Sequence, residues 1–469
     1  MPLRFPIIRL SQLLAVLLTG AAYLALAYAT PRSQFGQVLG LFGVAGAAYA
    51  WLLHTRLPLR WGLGAALLFR LLWLPATPAL SDDFYRFRWD GLLSSHGQNV
   101  FAATPHQVLF LADRAGPRAA ATLPLAELRR LYPKLNSPDY YSVYPPVGQL
   151  LYRVAATAYP ASQTGFLALV RVALLLADVG AALLLLRLLP AASWPARRAL
   201  GYLLHPLVIV EVAGNVHMEG VVVFFLLLMG WLLWRRQAAL AGAALALAVA
   251  TKLLPLLALP LLARRLSWPR HAWLGGAFAS ALLLLFAPYL AGSSLSHIGQ
   301  SLRLYFHLFE FNASLFYLLR ATGQTLTGAN QIDQLGPALA LTTTGLLLTL
   351  AARERRPTLA TLPQALLLAL TGYYALATTV HPWYLVPLVA LSCFSPRRYA
   401  IVWAGLIVLS YATYRTLPYA ENPLLTSLEY AGVLAWALGE TYFSDKSKAH
   451  APVSRATPPD RGPNPRPKV

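Results

Sequence analysis

The chain has 17 acidic residues, and they crowd most densely in the run Ser81-Asp82-Asp83-Phe84-Tyr85-Arg86-Phe87-Arg88-Trp89-Asp90-Gly91. Three carboxylates (Asp82, Asp83, Asp90) stand here with two guanidinium groups (Arg86, Arg88) and the rings of Tyr85 and Trp89. One chemistry for such a run is structural: an acid caps a helix while the aromatics and arginines sit at a membrane interface. The other is proton transfer, because a carboxylate of ordinary pKa, about 4, is ionised at neutral pH and accepts a proton as a bond forms. The adjacent pair Asp82-Asp83 favours the second, since neighbouring carboxylates repel and one cap suffices.

Four further groups could carry chemistry. In His205-Pro-Leu-Val-Ile-Val-Glu-Val-Ala-Gly-Asn-Val-His-Met-Glu-Gly220, the residues Glu211, Asn215, His217 and Glu219 gather at a break between apolar stretches, where Gly214 and Asn215 would also simply make a turn. Their spacing matches no metal-ligand motif and no cysteine assists. Lys252, in Ala-Thr-Lys-Leu-Leu-Pro, is the lysine embedded in an apolar run; it either snorkels to the surface or meets an anionic lipid phosphate. His381, in His-Pro-Trp-Tyr-Leu-Val-Pro, is placed to hydrogen-bond a phosphate or steady a leaving group, with Trp383 and Tyr384 to line a sugar or prenyl site; the alternative is an aromatic belt with an incidental histidine. His307, Glu310 and Asn312 lie on an amphipathic stretch, and Asn312-Ala313-Ser314 matches a glycosylation sequon. Asp82 and Asp83 would ligate Mg²⁺ or Mn²⁺ only with partners the sequence does not supply, so no metal is assigned.

The elements that must position these groups are membrane helices. Of 469 residues, 57% are hydrophobic and 12% charged, with mean hydropathy +0.54, which excludes a soluble multidomain protein, a disordered chain and a soluble nucleic-acid binder. The single Cys393 excludes a disulfide scaffold. The net charge of +21 comes from arginines bunched in the breaks between apolar runs, as the positive-inside rule requires of cytoplasmic loops. Candidate spans are 10–29, 38–53, 62–76, 166–186, 199–213, 218–234, 272–290, 335–352, 358–377, 383–394, 400–414 and 424–442. The stretch 238–263 is read as two half-helices meeting near Lys252 and Pro255, for a total of about 12–14 membrane segments. The first span imitates a signal peptide but is expected to be retained.

With the arginine clusters in the cytoplasm, the breaks 81–144, 214–217, Lys252, 291–334, 380–381 and 418–423 face the other side. Segment 146–159 is expected to be re-entrant or interfacial. Residues 1–443 form one integral-membrane domain, with outer loops at 78–144 and 291–334; the basic, Pro-rich tail 444–469 is expected to be disordered and cytoplasmic.

In this order the blocks SDDFYRFRWDG with HGQNVFAATP, HPLVIVEVAGNVHMEG, ATKLLPLLALP and HPWYLVP resemble those of GT-C superfamily integral-membrane glycosyltransferases. They are most similar to bacterial polyprenyl-phosphate-mannose-dependent mannosyltransferases of glycosyltransferase family 87 and its relatives. The resemblance implies an all-α, GT-C-like bundle with a large extracytoplasmic catalytic loop carrying amphipathic helices, in a bacterial inner membrane. It implies inverting transfer of a hexose, mannose above all, from a polyprenyl-phosphate donor to a glycolipid or glycan acceptor. Asp83 would be the general base, with Asp82 the alternate; Lys252, His381, Arg86 and Arg88 would meet the donor phosphate. Glu211, His217 and Glu219 would orient the acceptor or the sugar hydroxyls, with Tyr85, Trp89, Asp90, Asn215, Glu310, Asn312, Trp383 and Tyr384 also against substrate. No cofactor and no nucleic acid enter the scheme; the partners are the two substrates and membrane lipids. His205, Met218 and Val100-Phe101 depart from the family pattern and leave sugar and acceptor open. Rival readings are a transporter or flippase of polyprenyl-linked sugars or another polar solute, an oligosaccharide ligase or polymerase, and a non-catalytic partner in envelope assembly. The transporter reading leaves unexplained why acids, aromatics and arginines concentrate in an outer loop.

Overall fold

In lipid every backbone N–H and C=O must be satisfied within the protein, so long apolar runs fold as helices. A computed structural model of the protein describes residues 8–114 and 123–449. Five of its helices are long and apolar enough to cross a membrane: Leu10–Tyr28, Phe35–His54, Gln163–Ala191, Trp268–Tyr289 and Ile332–Arg353. A sixth arises if Pro206–Gly214 and Glu219–Trp234, bent by 110°, are one broken span. Their outer surfaces suit lipid, not water: Trp268, Leu284 and Leu341 are each more than 70% exposed. Among the described residues the only β pairing is a lone parallel bridge between Phe311 and Thr379. The protein is an all-helical chain with the make of a polytopic membrane protein.

Uninterrupted spans are fewer than the 12–14 segments anticipated, because proline and polar residues cut several apolar runs. The run 199–213 breaks at His205, where Pro206 removes a donor, into the short Leu200–Leu203 and Pro206–Val208 and a wide turn over Ile209–Gly214. The run 383–394 becomes Pro382–Leu385 and Val386–Ser392, and 400–414 becomes Tyr399–Leu406 followed by Ile407–Arg415. The expected break near Lys252 and Pro255 is present, between Ala238–Val249 and the turn Leu254–Leu257. Helix Pro423–Ala449 runs past residue 444, so the tail begins as helix where disorder was expected; 450–469 lies outside the described residues.

Loop 78–144 carries helices Asp83–Ser95, Pro105–Arg114 and Leu125–Leu131, and loop 291–334 carries Ser294–His307 and Leu315–Thr327. Segment 146–159 forms helix Pro146–Ala158, 13 residues long. At about 1.5 Å per residue it is too short to cross a hydrocarbon core about 30 Å thick. It packs so closely on Asp83–Ser95 that a Cβ on Gly91 would lie 2.5 Å from the Tyr152 carbonyl oxygen.

The arginine-bearing breaks meet one another. Arg197 donates to Leu53 O at 3.3 Å, Arg198 to Ser392 O at 3.3 Å, Arg264 to Ala352 O at 2.6 Å and Arg265 to Thr358 O at 2.9 Å. The acid-bearing breaks meet elsewhere, around one cavity.

Candidate active site

The first wall of that cavity is the start of helix Asp83–Ser95. The two neighbouring acids diverge. Asp82 makes no capping bond to the helix and pairs with Arg32, while Asp83 Oδ1 accepts from Asn136 Nδ2 at 2.9 Å and Asp83 Oδ2 lies 3.7 Å from His217 Nε2. The capping alternative is thereby removed for both side chains. One turn on, Arg86 binds Asp90 at 2.8 Å and the carbonyls of Ser137 and Tyr140 at 3.1 Å; Asp90 also accepts from Ser142 at 2.6 Å and Gln149 at 2.9 Å. This buried pair clamps the stretch carrying Asn136 beside Asp83.

The second wall is the bent pair Pro206–Gly214 and Glu219–Trp234. Arg171 donates to Ala213 O at 2.7 Å, Gly214 O at 2.9 Å and Leu74 O at 3.3 Å, tying the end of the wide turn to the chain that leads into Ser81. Val216 follows at φ 58°, a left-handed conformation that a β-branched residue rarely adopts and that turns His217 inward. Glu211 is fully buried and accepts from His217 Nδ1 at 2.8 Å, Asn215 Nδ2 at 3.0 Å and the Tyr411 hydroxyl. His217 therefore bridges two carboxylates. Its ring stacks on Trp383 at 3.9 Å, and His381 stacks on the same indole at 4.4 Å.

Burial works against charge on all three of these groups, and their neighbours decide the outcome. On Asp83 burial is outweighed by the facing His217 and by Asn136, which hold the carboxyl down at about 2. On His217 burial is outweighed by Asp83, Glu211 and Glu219, which raise the imidazole to about 9. For His381 burial prevails over the attraction of Asp83, and Lys252 and His217 add to it, leaving it at about 3. Burial thus favours neutral His381, which suits hydrogen bonding; among the described residues its buried Nδ1 has no partner. His217 faces Asp83, and the cavity wall adds Lys252, paired with Glu219 and poised 5.1 Å over the Tyr384 ring, together with Arg32 and Arg86, which are held by Asp82 and Asp90.

The cavity measures about 560 Å³ and is lined by Asp82, Asp83, Arg86, Asn136, Lys252, Glu310, His381, Trp383 and Tyr384, among others. Of the breaks assigned to one side from the sequence, 81–144, Lys252, 291–334, 380–381 and 418–423 all contribute lining residues, and His217 stands directly behind Asp83. Lys252 also borders an apolar cleft with Pro255, Leu366, Leu370 and Tyr374.

Several expected site residues do other work. Arg88 is turned away, its guanidinium taken up by the carbonyls of Tyr159, Pro160 and Ser162 and by Glu127, so it meets no ligand in the cavity. Trp89 is buried, and Tyr85 packs on Phe84 at 4.0 Å; neither lines the cavity. Asp90, Glu211 and Asn215 support the wall from behind. Asn312 is wholly buried and donates to Glu429 at 3.1 Å, so the sequon is closed to a glycan. Glu310 faces the cavity but is held by Arg320 and Asn330. Among the described residues, no group of three or more His, Cys, Asp or Glu is placed to hold a metal ion.

Sequence reasoning passed over Arg32, Asn136, Tyr411, Tyr414 and Tyr419, all at or behind the cavity. The signal for Arg32 was available: alternation of spans puts the break after Leu10–Tyr28 on the acid-bearing side, making it a cation among acids. No protein-family model matches the chain, and neither does any curated protein.

The arrangement can do three things. An ionised carboxylate accepts a proton from a hydroxyl brought against it, a lysine and a neutral histidine meet an anion, and the faces of Trp383 and Tyr384 offer a surface to a sugar or prenyl group.

Proposed function

We propose that the chain is an inverting glycosyltransferase that moves a hexose, mannose by the family resemblance, from a polyprenyl-phosphate donor to a glycolipid or glycan acceptor. The reaction would take place on the extracytoplasmic side of a bacterial inner membrane. The observation that carries this reading is Asp83, kept ionised by His217 and Asn136 on the wall of a cavity that also holds Lys252 and His381. In the proposed step the acceptor hydroxyl gives its proton to Asp83 as its oxygen bonds to the anomeric carbon. The bond from that carbon to the phosphate oxygen breaks, and prenyl phosphate leaves with the electron pair. Lys252 meets the developing charge and His381 donates to it. With a pKa of about 2 Asp83 is a weak base, so proton transfer runs late, once the acceptor oxygen has begun to bond.

The test is transfer from radiolabelled polyprenyl-phosphate-mannose to a native glycolipid extract, by purified protein in nanodiscs. Asp83→Asn is expected to fold and bind donor yet lose about 10²–10⁴-fold in rate. Asp82→Asn is expected to retain proton transfer, since its carboxylate faces Arg32. Full activity in Asp83→Asn removes the base from this position. No transfer by folded, donor-binding wild type makes the transporter reading the next to be tested.

A further inference from the structure

Beside the cavity at Asp83 lies a second one of about 720 Å³, walled by residues 27–33, Ala79, Tyr414, Arg415, Leu417 and Tyr419. The two cavities share Arg32, Tyr414 and Tyr419, so a single layer of side chains separates them. The second contains two arginines and no carboxylate of its own. Arg32 spends one nitrogen on Asp82 and the Tyr419 hydroxyl and lies 5.0 Å over the Tyr414 ring; among the described residues its other donors have no partner. Arg415 donates once, from Nε to Ala412 O at 3.2 Å, and rests 5.5 Å from the Phe35 ring, leaving the rest of its fork open.

Asp82 already meets one side of Arg32, but both guanidinium groups keep open donors on the same cleft, and their forks match phosphate oxygens. The position selects the kind of phosphate. Leu417 is 83% exposed and Tyr28 54%, at the end of the apolar helix Leu10–Tyr28 where a headgroup layer would lie. Arg415 is exposed and Arg32 half-buried, and the two line an open cleft that shares a wall with the site.

We propose that this second cavity binds the phosphate of an anionic membrane lipid between Arg32 and Arg415. Joined to the transferase reading, on which this further step rests, the lipid is the acceptor: Arg32 holds Asp82, the neighbour of Asp83, so a headgroup seated here presents its hydroxyls across the shared wall. Asp82 then serves as a positioning residue for Arg32.

Native mass spectrometry of the full-length protein in detergent, titrated with phosphatidylglycerol or phosphatidylcholine, tests the site without any transfer assay. Wild type is expected to retain one phosphatidylglycerol in preference to phosphatidylcholine. Arg415→Gln and Arg32→Gln should weaken it about tenfold or more, the loss of one charge-assisted contact. Arg415→Lys should recover part of the loss, and Arg355→Gln, an exposed arginine elsewhere, should change nothing. Equal retention by Arg415→Gln and wild type overturns the site, as does equal weakening by Arg355→Gln. Displacement by inorganic phosphate alone overturns the lipid as occupant and makes a soluble phosphate the ligand. Asp83→Asn should bind phosphatidylglycerol as wild type does, so failure of the lipid site and failure of the transferase reading are read separately.

Discussion

At the scale of single residues, the centre of the site is an ion pair, and its pH dependence has a defined sign. His217 is raised from 6.5 to about 9, so its contribution to stability is complete below the ordinary histidine value and is lost as pH rises through about 9. Asp83 is depressed from 3.8 to about 2, so its contribution is present above the ordinary value and is lost as pH falls through about 2. The pair is therefore intact at neutral pH and fails first on the alkaline side. The thermal midpoint of the wild type is expected to drop between about pH 7 and about pH 10, and that of His217→Gln to drop less. Parallel curves for the two proteins would mean the pair adds nothing to stability. How the two adjacent acids are partnered was not decidable from the sequence. The spacing that makes them conspicuous is silent on their partners, and only the fold turns one toward Arg32 and the other toward His217.

At the scale of elements, the site depends on helix Asp83–Ser95 lying almost in contact with Pro146–Ala158. Alanine is ordinarily about 1 kcal/mol better than glycine in a helix. At Gly91 the added carbon would meet backbone 2.5 Å away, and overpacking of that kind costs about 1–3 kcal/mol, so repulsion wins. Gly91→Ala is expected to lower the melting temperature and, on the proposed function, the transfer rate, whereas Gly64→Ala, inside helix Leu59–Leu71 with open space around the new carbon, should raise the melting temperature slightly and leave the rate unchanged. A Gly91→Ala protein as stable as wild type would show that the two helices have room to separate. Much at this scale was legible in the sequence: the break at Lys252, the bend at 214–217 and the non-spanning 146–159 all follow from proline, glycine and charge interrupting apolar runs. What was not legible is where arginines in the acid-rich run go. Arg86 and Arg88 look alike in sequence, but one clamps Asp90 and the other disappears among the carbonyls of 159–162. Hydropathy also merged broken helices into full spans, because it weighs composition and not the donor that Pro206 lacks.

At the scale of the whole molecule, the loops sort into two sets. The acid-bearing breaks surround the cavity, and the arginine-bearing breaks bond to one another, which is the segregation the positive-inside rule anticipates. Cys393 is buried and gives little background, so a membrane-impermeant maleimide reports the arrangement directly. Applied to intact cells, it is expected to label Lys134→Cys, and to reach Arg355→Cys only after the membrane is opened. The reverse pattern would place the cavity in the cytoplasm, and labelling of both from one side would mean the loops do not segregate. The cavity also draws its walls from both ends of the chain, from Arg32 near the start to Tyr414, Tyr419 and Glu421 near the finish, with Tyr411 bracing Glu211 from behind. A ribosome making this protein therefore releases nearly all of it before the cavity can close, and a nascent chain halted partway lacks one of its walls.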